Sequence, residues 1–191
     1  MTGGPSPTGR SDGFRFLGET VRFHGWRIEV TEARFTAPDG TEFTRHIVRH
    51  PGAVAVVAVT DGGDVLLVRQ YRGAVDRELL EIPAGTRDVD GEEPVETARR
   101  ELLEEVGVHA RHLRHLGTLY NSPGFCDEET QLFLATGLDP GTPDRDGIEE
   151  RHMEVVTVPL SEVDGLVAGG ELIDGQTILG LLMARHLLAR G

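Results

Sequence analysis

A dense cluster of acidic residues constrains this chain more than any other feature of its sequence. The six residues from Arg100 to Glu105 include three glutamates, Glu101, Glu104 and Glu105. A helix turns by about 100° per residue, so these three side chains would lie within one narrow sector. Like charges at this spacing repel one another, and an exposed helix gains nothing from them. A divalent cation reverses the sign of that interaction, because Mg²⁺ and Mn²⁺ prefer oxygen ligands such as carboxylates.

The flanking residues extend this cluster into a longer pattern. Seven residues follow Glu92, and then Arg100–Val108 reads RELLEEVGV. The segment resembles the Nudix box, written G-x5-E-x7-R-E-U-x-E-E-x-G-U with U aliphatic. One departure is an extra residue, because six residues rather than five separate Gly85 from Glu92. The extra residue falls in the loop before the helix, so we expect the geometry of the carboxylates to be unchanged.

This resemblance implies hydrolysis of a pyrophosphate bond with Mg²⁺, or alternatively Mn²⁺, as cofactor. The implied metal ligands are three carboxylates and one main-chain carbonyl, those of Glu101, Glu104, Glu105 and Ala84. The resemblance also implies structural roles within the box for Gly85, Glu92, Arg100 and Gly107, with Arg100 paired to Glu92. Cations of this kind neutralise charge on phosphate oxygens and lower the pKa of a bound water. We therefore treat Glu105 as a catalytic residue as well, whose replacement by Gln removes most of the turnover.

Two further segments resemble one subfamily, the ADP-ribose pyrophosphatases. Val68–Arg72 is similar to the QYR strand end of these enzymes, and Asn121–Phe125 is similar to their proline-containing loop. In that subfamily a proline follows the box at a fixed distance, and here Pro123 stands sixteen positions after Gly107. The resemblance covers most of residues 45–160. It implies a nucleoside diphosphate substrate, ADP-ribose, cleaved to AMP and ribose 5-phosphate.

Candidate substrate contacts follow from side-chain chemistry. Arg72 can grip a phosphate through two N–H donors, and Arg45, which follows a predicted hairpin, is the next candidate. For either arginine a surface ion pair is the alternative interpretation. Tyr71 or Phe125 can stack on a base, although both can equally belong to the core. Pro123 joins the substrate-binding set through the resemblance.

The general base must reach a water at the metal site, and such groups often lie on loops. Glu149 and Glu150 lie in a predicted loop, residues 139–150, between two strands. The resemblance to ADP-ribose pyrophosphatases implies an acidic loop that places a glutamate over the metals. Either residue fits that role, and Glu154 is a weaker third candidate.

The pattern of apolar residues predicts an α/β fold, a Nudix-type α/β/α sandwich with a mixed β-sheet and N-terminal antiparallel strands. Ala53–Val59 is a continuous apolar run and predicts a strand buried on both faces. Residues 1–13 are expected to be a disordered tail without a signal peptide. Residues 14–50 form strands, paired through a turn at Pro38-Asp39-Gly40, and by resemblance contribute to a homodimer. By the same resemblance, residues 51–191 are expected to form the Nudix hydrolase domain.

Local signals also place the helices. The first helix is predicted to start near Pro94 and to stop at Gly107. Its buried stripe is predicted to be Val95, Ala98, Leu102 and Val106. Ser161 is expected to cap a short helix. A longer helix over residues 175–190 is expected to bury Ile178, Leu179, Leu182 and Leu187.

Composition narrows the partners and the compartment. The net charge of −13 disfavours non-specific binding to nucleic acid or to an anionic membrane. The 19 basic residues are all Arg, the cation best suited to phosphate. Cys126 is the single cysteine, so an intrachain disulfide is impossible and a reducing cytoplasm fits. No apolar run approaches the length of a membrane span.

Three alternatives stay open at this point. The same chemistry can act on another nucleoside diphosphate sugar, of the GDP-mannose type, or on a dinucleotide. A catalytically silent domain that senses a nucleotide is the third, although such domains typically lack the box carboxylates that are intact here. A metal site formed by His109, His112 and His115 is disfavoured, because their segment is predicted to be a loop entering a strand.

Overall fold

The computed structural model describes residues 13–145 and 147–190. These residues divide into two compact units. The first unit combines the chain up to His50 with Ser122–Asp127, and the second combines Pro51–Asn121 with the chain from Glu128 onward. The tail expected over residues 1–13 lies outside the described residues, except for Gly13.

The first unit is a three-stranded antiparallel sheet. Its strands are β1 (Arg15–His24), β2 (Glu29–Thr36) and β3 (Glu42–Arg49), in the order β1-β2-β3. The turn between β2 and β3 is closed by the Thr41 N–H, which donates to Asp39 Oδ1 at 2.9 Å. The predicted N-terminal antiparallel strands and their turn at Pro38-Asp39-Gly40 are therefore confirmed.

The second unit is built on a seven-stranded mixed sheet. Its strands are β4 (Ala53–Val59), β5 (Asp64–Arg72), β6 (Arg77–Glu81), β7 (Ala84–Thr86), β8 (Val108–Tyr120), β9 (Glu129–Pro140) and β10 (Glu154–Pro159). The main order is β10-β5-β4-β9-β8, with β6 paired to β5 and β7 paired to β4. Only the β4–β9 pair is parallel among the described strand pairs of this sheet.

Helices cover both faces of this sheet. They are α1 (Pro94–Val106), α2 (Ile148–Arg151), α3 (Val163–Gly169), which follows a 3₁₀ turn at Leu160–Glu162, and α4 (Gly175–Leu188). Alternate residues of β4 enter two separate apolar clusters. Val54, Val56 and Ala58 pack with α1, whereas Ala55, Val57 and Val59 pack with α4. The predicted α/β/α sandwich is confirmed, as is the prediction that Ala53–Val59 is buried on both faces.

Helix α1 has the bounds that its local signals predict. Pro94 occupies its first turn, where the missing N–H costs no hydrogen bond. Gly107 ends it in the left-handed region with φ of 68°, and its N–H donates to the Leu103 carbonyl at 3.1 Å. Ala98 and Leu102 are fully buried, and Val95 at the edge of the stripe is partly buried.

The predicted buried stripe of α4 is wrong in part. Leu179 and Leu182 are 40% and 39% exposed, and the buried residues are instead Thr177, Gly180, Leu181 and Ala184. The reason is a close approach at Gly180. A Cβ at Gly180 would lie 3.1 Å from side-chain atoms of both Ile82 and Val57, so the helix meets the sheet at this glycine. That contact turns Leu179 and Leu182 toward solvent.

Several segments expected to be loops are regular structure. Gly85 lies within β7, because the edge of β4 at Ala53–Ala55 needs hydrogen-bond partners and finds them there. Strand β8 already begins at Val108, so the three histidines of residues 109–115 lie on a strand. Strand β9 continues to Pro140, which leaves a shorter loop than residues 139–150.

Two further expectations concern helix ends. Glu149 and Glu150 lie on the one-turn helix α2 rather than in a loop. Ser161 lies inside the 3₁₀ turn and caps no helix, because Glu162 precedes α3. Within the described ranges, none of the helices combines the length and apolar character needed to cross a lipid bilayer.

The packing of α4 makes a testable distinction between two adjacent leucines. Leu181 is fully buried and Leu182 is 39% exposed. We expect Leu181→Ala to lower the free energy of unfolding by about 2–5 kcal/mol, because it leaves a cavity against the sheet. The matched control Leu182→Ala should cost less than about 1 kcal/mol. Urea denaturation followed by circular dichroism measures both, and equal losses would contradict this orientation of the helix.

Candidate active site

The carboxylates of α1 differ sharply in their exposure. Glu101 and Glu105, one turn apart, are only 8% and 4% exposed, whereas Glu104 is partly exposed. Glu101 and Glu105 are buried because they flank Leu102, which α1 packs onto the sheet. The apolar stripe of the helix therefore carries two carboxylates into the protein together with its aliphatic residues.

The main chain of β7 lies directly against these two carboxylates. A Cβ at Gly85 would lie 2.0 Å from the carboxylate carbon of Glu101, so a larger residue here would force that carboxylate to shift. The Ala84 N–H donates to Oε2 of Glu105 at 3.0 Å. The structure thus brings Gly85, Ala84, Glu101 and Glu105 together. The extra residue of the box lies downstream of this contact, in the segment between Thr86 and Glu92.

Arg100 joins the loop before α1 to the carboxylates on it. Its Nη1 donates to Glu101 Oε1 at 2.8 Å and to Glu104 Oε2 at 3.0 Å. Its Nε and Nη2 face the Glu92 carboxylate at 3.4 and 3.3 Å. One guanidinium therefore shares its positive charge among three glutamates and, at 3.9 Å, Asp88, and it ties Glu92 to the helix.

Burial dominates the electrostatics of the pair. It raises the pKa of Glu101 to about 7, with Glu104 and Glu150 adding to the rise and Arg100 opposing it. Burial also raises the pKa of Glu105 well above its ordinary value. The neighbouring Glu101 adds to that rise, while the Ala84 N–H and Arg72 oppose it. Holding both carboxylates ionised is therefore costly for the folded protein unless further positive charge is present.

The donor set fits a divalent cation. Across residues 13–145 and 147–190 no three His, Cys, Asp or Glu side chains are arranged as a ready-made metal site. Arg100 engages one oxygen each of Glu101 and Glu104. A buried pair of like-charged oxygen ligands is nevertheless what a hard cation stabilises. Such a cation would compete with Arg100 for these oxygens.

Arg72, the candidate phosphate ligand, is held by a carboxylate that sequence analysis missed. Its Nε lies 3.0 Å from both oxygens of Glu81, and its Nη2 donates to Glu81 Oε2 at 2.5 Å. Gln70 Nε2 donates to the same Oε2 at 3.1 Å. The Glu81 side chain is only 3% exposed, whereas that of Arg72 is 42% exposed. An acidic residue inside the otherwise apolar run LLEIP was the signal that could have identified Glu81.

The three candidate general bases differ in burial. Glu150 is partly buried, and its charge contributes to the raised pKa of both Glu101 and Glu105, so it lies within their electrostatic range. Glu149 on the same short helix is exposed, as is Glu154 on β10. The Gly147 N–H donates to Glu150 Oε2 at 3.1 Å and orients that side chain.

The remaining candidate substrate ligands belong to the first unit. The guanidinium carbon of Arg45 lies 4.7 Å from the centre of the Phe43 ring, and its Nη1 donates to the Thr44 carbonyl. Pro123 and Phe125 lie in the segment Ser122–Asp127, which pairs with β3 through the Val48 N–H and the Phe125 carbonyl. The Phe125 ring is exposed, which leaves it available for contacts.

Tyr71, the other stacking candidate, lies at the end of β5 in the second unit. It is 46% exposed, and its hydroxyl donates to Asp76 Oδ1 at 2.8 Å. It is therefore not a core residue, which was one of its two interpretations.

Comparison with known proteins decides the family. A family model described as the NUDIX domain matches residues 49–178. The chain belongs to the Nudix family. An ADP-ribose pyrophosphatase of Bacillus subtilis (strain 168) is 42% identical over 155 residues, which cover 81% of this chain and 83% of the relative. An ADP-ribose pyrophosphatase of Mycobacterium tuberculosis is 43% identical over 155 residues, covering 81% of this chain and 74% of the relative.

A solved structure supports the fold of this Nudix chain. It is described as the crystal structure of an ADP compounds hydrolase. The structural match covers 93% of this chain and 95% of the solved chain. The TM-score is 0.81 and the sequence identity is 22%. The arrangement of sheet and helices is thus shared despite the low identity.

The raised pKa of Glu101 predicts how stability depends on pH. Below about pH 4.5 Glu101 is protonated in both states, and between about pH 4.5 and 7 the unfolded chain ionises first. The metal-free protein should therefore lose stability across this range, by on the order of 3 kcal/mol from Glu101 alone. Glu101→Gln should make the free energy of unfolding depend less on pH over this range.

Chemical denaturation in EDTA, near pH 5 and near pH 8, measures this effect. Glu96→Gln is the matched control, since Glu96 is an exposed glutamate of the same helix. The prediction fails when Glu101→Gln and Glu96→Gln show the same dependence on pH as the unmodified protein.

Proposed function

We propose that this chain hydrolyses the pyrophosphate bond of ADP-ribose and releases AMP and ribose 5-phosphate. The observation that carries this proposal is the buried pair Glu101 and Glu105 packed against the main chain of Gly85 and Ala84. The names of its two relatives support the choice of ADP-ribose. The family uses divalent metal ions, and we propose Mg²⁺ with Mn²⁺ as the alternative.

The proposed ligands are the carboxylates of Glu101, Glu104 and Glu105 and the carbonyl of Ala84. When bound, the cation supplies positive charge against the diphosphate oxygens and acidifies water. Arg100 keeps the carboxylates oriented through its contacts to Glu101 and Glu104. Because its guanidinium also holds Glu92, it can give up a carboxylate oxygen without leaving the site.

Glu150 is proposed as the general base that accepts the proton of the attacking water. Two observations support it over Glu149: its partial burial and its electrostatic reach to Glu101 and Glu105. Phosphoryl transfer otherwise needs positioning and charge stabilisation more than covalent participation.

Arg72 is proposed to bind a phosphate of the substrate. Its bidentate contact with Glu81 fixes the plane of the guanidinium while part of the side chain stays exposed. Arg45, Pro123 and Phe125 are proposed as further substrate-binding residues. Phe125 offers an exposed ring on which a base can stack.

We also propose that the protein is a homodimer that works in the cytoplasm. Strand β1, the residue before it and the turn after it expose large apolar side chains: Phe14, Phe16, Val21, Phe23 and Trp26. Exposed apolar patches of this kind mark interaction surfaces, and a second copy is the proposed occupant. Nucleic acid is an unsuitable partner for a chain of net charge −13. Static light scattering gives the mass, and a monomer would remove the dimer from the proposal.

The substrate is tested by hydrolysis of a panel with Mg²⁺ and with EDTA. The panel contains ADP-ribose, GDP-mannose, UDP-glucose, NADH and diadenosine polyphosphates. We expect metal-dependent turnover with the highest kcat/KM on ADP-ribose, and a loss of about 100-fold or more in kcat for Glu105→Gln. Phosphorus NMR or chromatography identifies AMP and ribose 5-phosphate as products.

Each other outcome of the panel has a defined meaning. A preference for GDP-mannose or a dinucleotide keeps the chemistry and discards ADP-ribose as the substrate. Binding of ADP-ribose without turnover on any compound favours a nucleotide sensor. Full turnover of Glu105→Gln would remove Glu105 from the catalytic site.

A further inference from the structure

Residues 141–145 pack against the carboxyl end of α1. A helix leaves its last carbonyls without partners inside the helix. Here the Asp144 N–H donates to the Glu104 carbonyl at 3.2 Å, and the Gly141 N–H donates to the Gly107 carbonyl at 2.7 Å. A Cβ at Gly107 would lie 2.8 Å from Cδ of Pro143, so the segment also packs tightly on this glycine.

Arg145 completes this contact with a side chain. Its Nε and Nη2 donate to the carbonyl of Glu105 at 3.0 and 2.6 Å. Its Nη1 donates to the carbonyl of Met153 at 2.9 Å. One planar guanidinium therefore bridges the end of the helix that carries the carboxylates and the residue that precedes β10. Lys could not make the same bridge, because it presents a single ammonium point.

The Arg145 bridge joins the two ends of the stretch that carries Glu150. Residues 145 and 153 enclose α2, which carries Glu150. Holding both ends of this stretch against α1 fixes the distance from Glu150 to the helix. Proton transfer requires the base to be within hydrogen-bond reach of its water, so that distance governs the rate.

Electrostatic repulsion opposes the approach of the Glu150-bearing turn to α1. Glu150 is repelled by the two buried carboxylates, since its charge contributes to the raised pKa of each. The Arg145 bonds oppose that repulsion through main-chain carbonyls and leave the carboxylate oxygens of Glu101 and Glu105 to other ligands. Arg145 thus differs from Arg100, which donates to the carboxylates themselves.

We infer that Arg145 is a positioning residue that holds the Glu150-bearing turn at its working distance from the carboxylate helix. The inference rests on the proposed function, in which Glu150 is the general base. Arg145 touches neither carboxylate, and its three hydrogen bonds go to main-chain oxygens. Its removal should therefore act on kcat through Glu150, with little change in KM.

A double-mutant cycle tests this inference with ADP-ribose and Mg²⁺. We expect Arg145→Met to lower kcat by about 10- to 100-fold, because a small misplacement of a catalytic group has effects of this size. Glu150→Gln should lower kcat by about 100-fold or more. In the Glu150→Gln background, Arg145→Met should cost less than about 3-fold, because there is no base left to position.

Two controls accompany the cycle. Arg151→Met removes an arginine that bonds within its own turn, to the Gly147 carbonyl at 3.4 Å, and should leave kcat nearly unchanged. Arg145→Lys retains a cation that cannot span both carbonyls, and it replaces Arg145→Met in the cycle when the latter does not fold. Thermal unfolding of each variant identifies the folded ones.

The outcomes separate the inference from the proposed function. Equal losses from Arg145→Met in both backgrounds, a change confined to KM, or no loss at all would overturn the positioning role while Glu150 stays the base. Wild-type turnover of Glu150→Gln would remove the general base from the proposed function and the positioning role with it.

Discussion

The burial of two carboxylates against a strand of main chain is the constraint on which the rest of this structure depends. Glu101 and Glu105 lie almost out of contact with solvent, and the main chain of Gly85 and Ala84 packs directly against them. An unpaired buried carboxylate is expensive, so the surroundings must compensate. Arg100 and the Ala84 N–H do so only in part, because the pKa of each carboxylate remains raised. The site of this Nudix chain therefore has less positive charge than it needs to stabilise both carboxylates in their ionised form.

Packing in the two apolar clusters offsets the unfavourable free energy of burying these carboxylates. Strand β4 serves both, packing alternate side chains against α1 on one face and α4 on the other. Because Leu102 is anchored in the first cluster, the glutamates on either side of it cannot turn to solvent without unpacking the helix. Gly85 and Gly107 then allow two close approaches, of β7 to the helix and of residues 141–145 to the end of the helix. Stability and chemistry are therefore coupled through a single helix.

Local signals predicted much of this site. Pro94 and Gly107 fix the bounds of α1, and the spacing of its glutamates needs only helical geometry. Features that depend on tertiary contacts could not be predicted. The buried face of α4 is set by Gly180, a residue without a hydrophobic signal, where the helix meets Val57 and Ile82. Glu81 acquires its role only from the pairing of β6 with β5, and Arg145 lies in a segment rich in Gly, Pro and Asp without periodicity.

The most direct test of the central claim is a calorimetric titration of the metal-free protein with Mg²⁺ in buffers of different ionisation enthalpy. Cation binding requires ionised ligands, so it should release protons wherever Glu101 is still partly protonated. Because the pKa of Glu101 is raised to about 7, we predict proton release near pH 6.5, and the part of it that comes from Glu101 disappears near pH 9. Glu101→Gln should weaken binding and reduce the release. Absence of Mg²⁺ binding, or the same proton release from the unmodified protein and Glu101→Gln, would contradict the account.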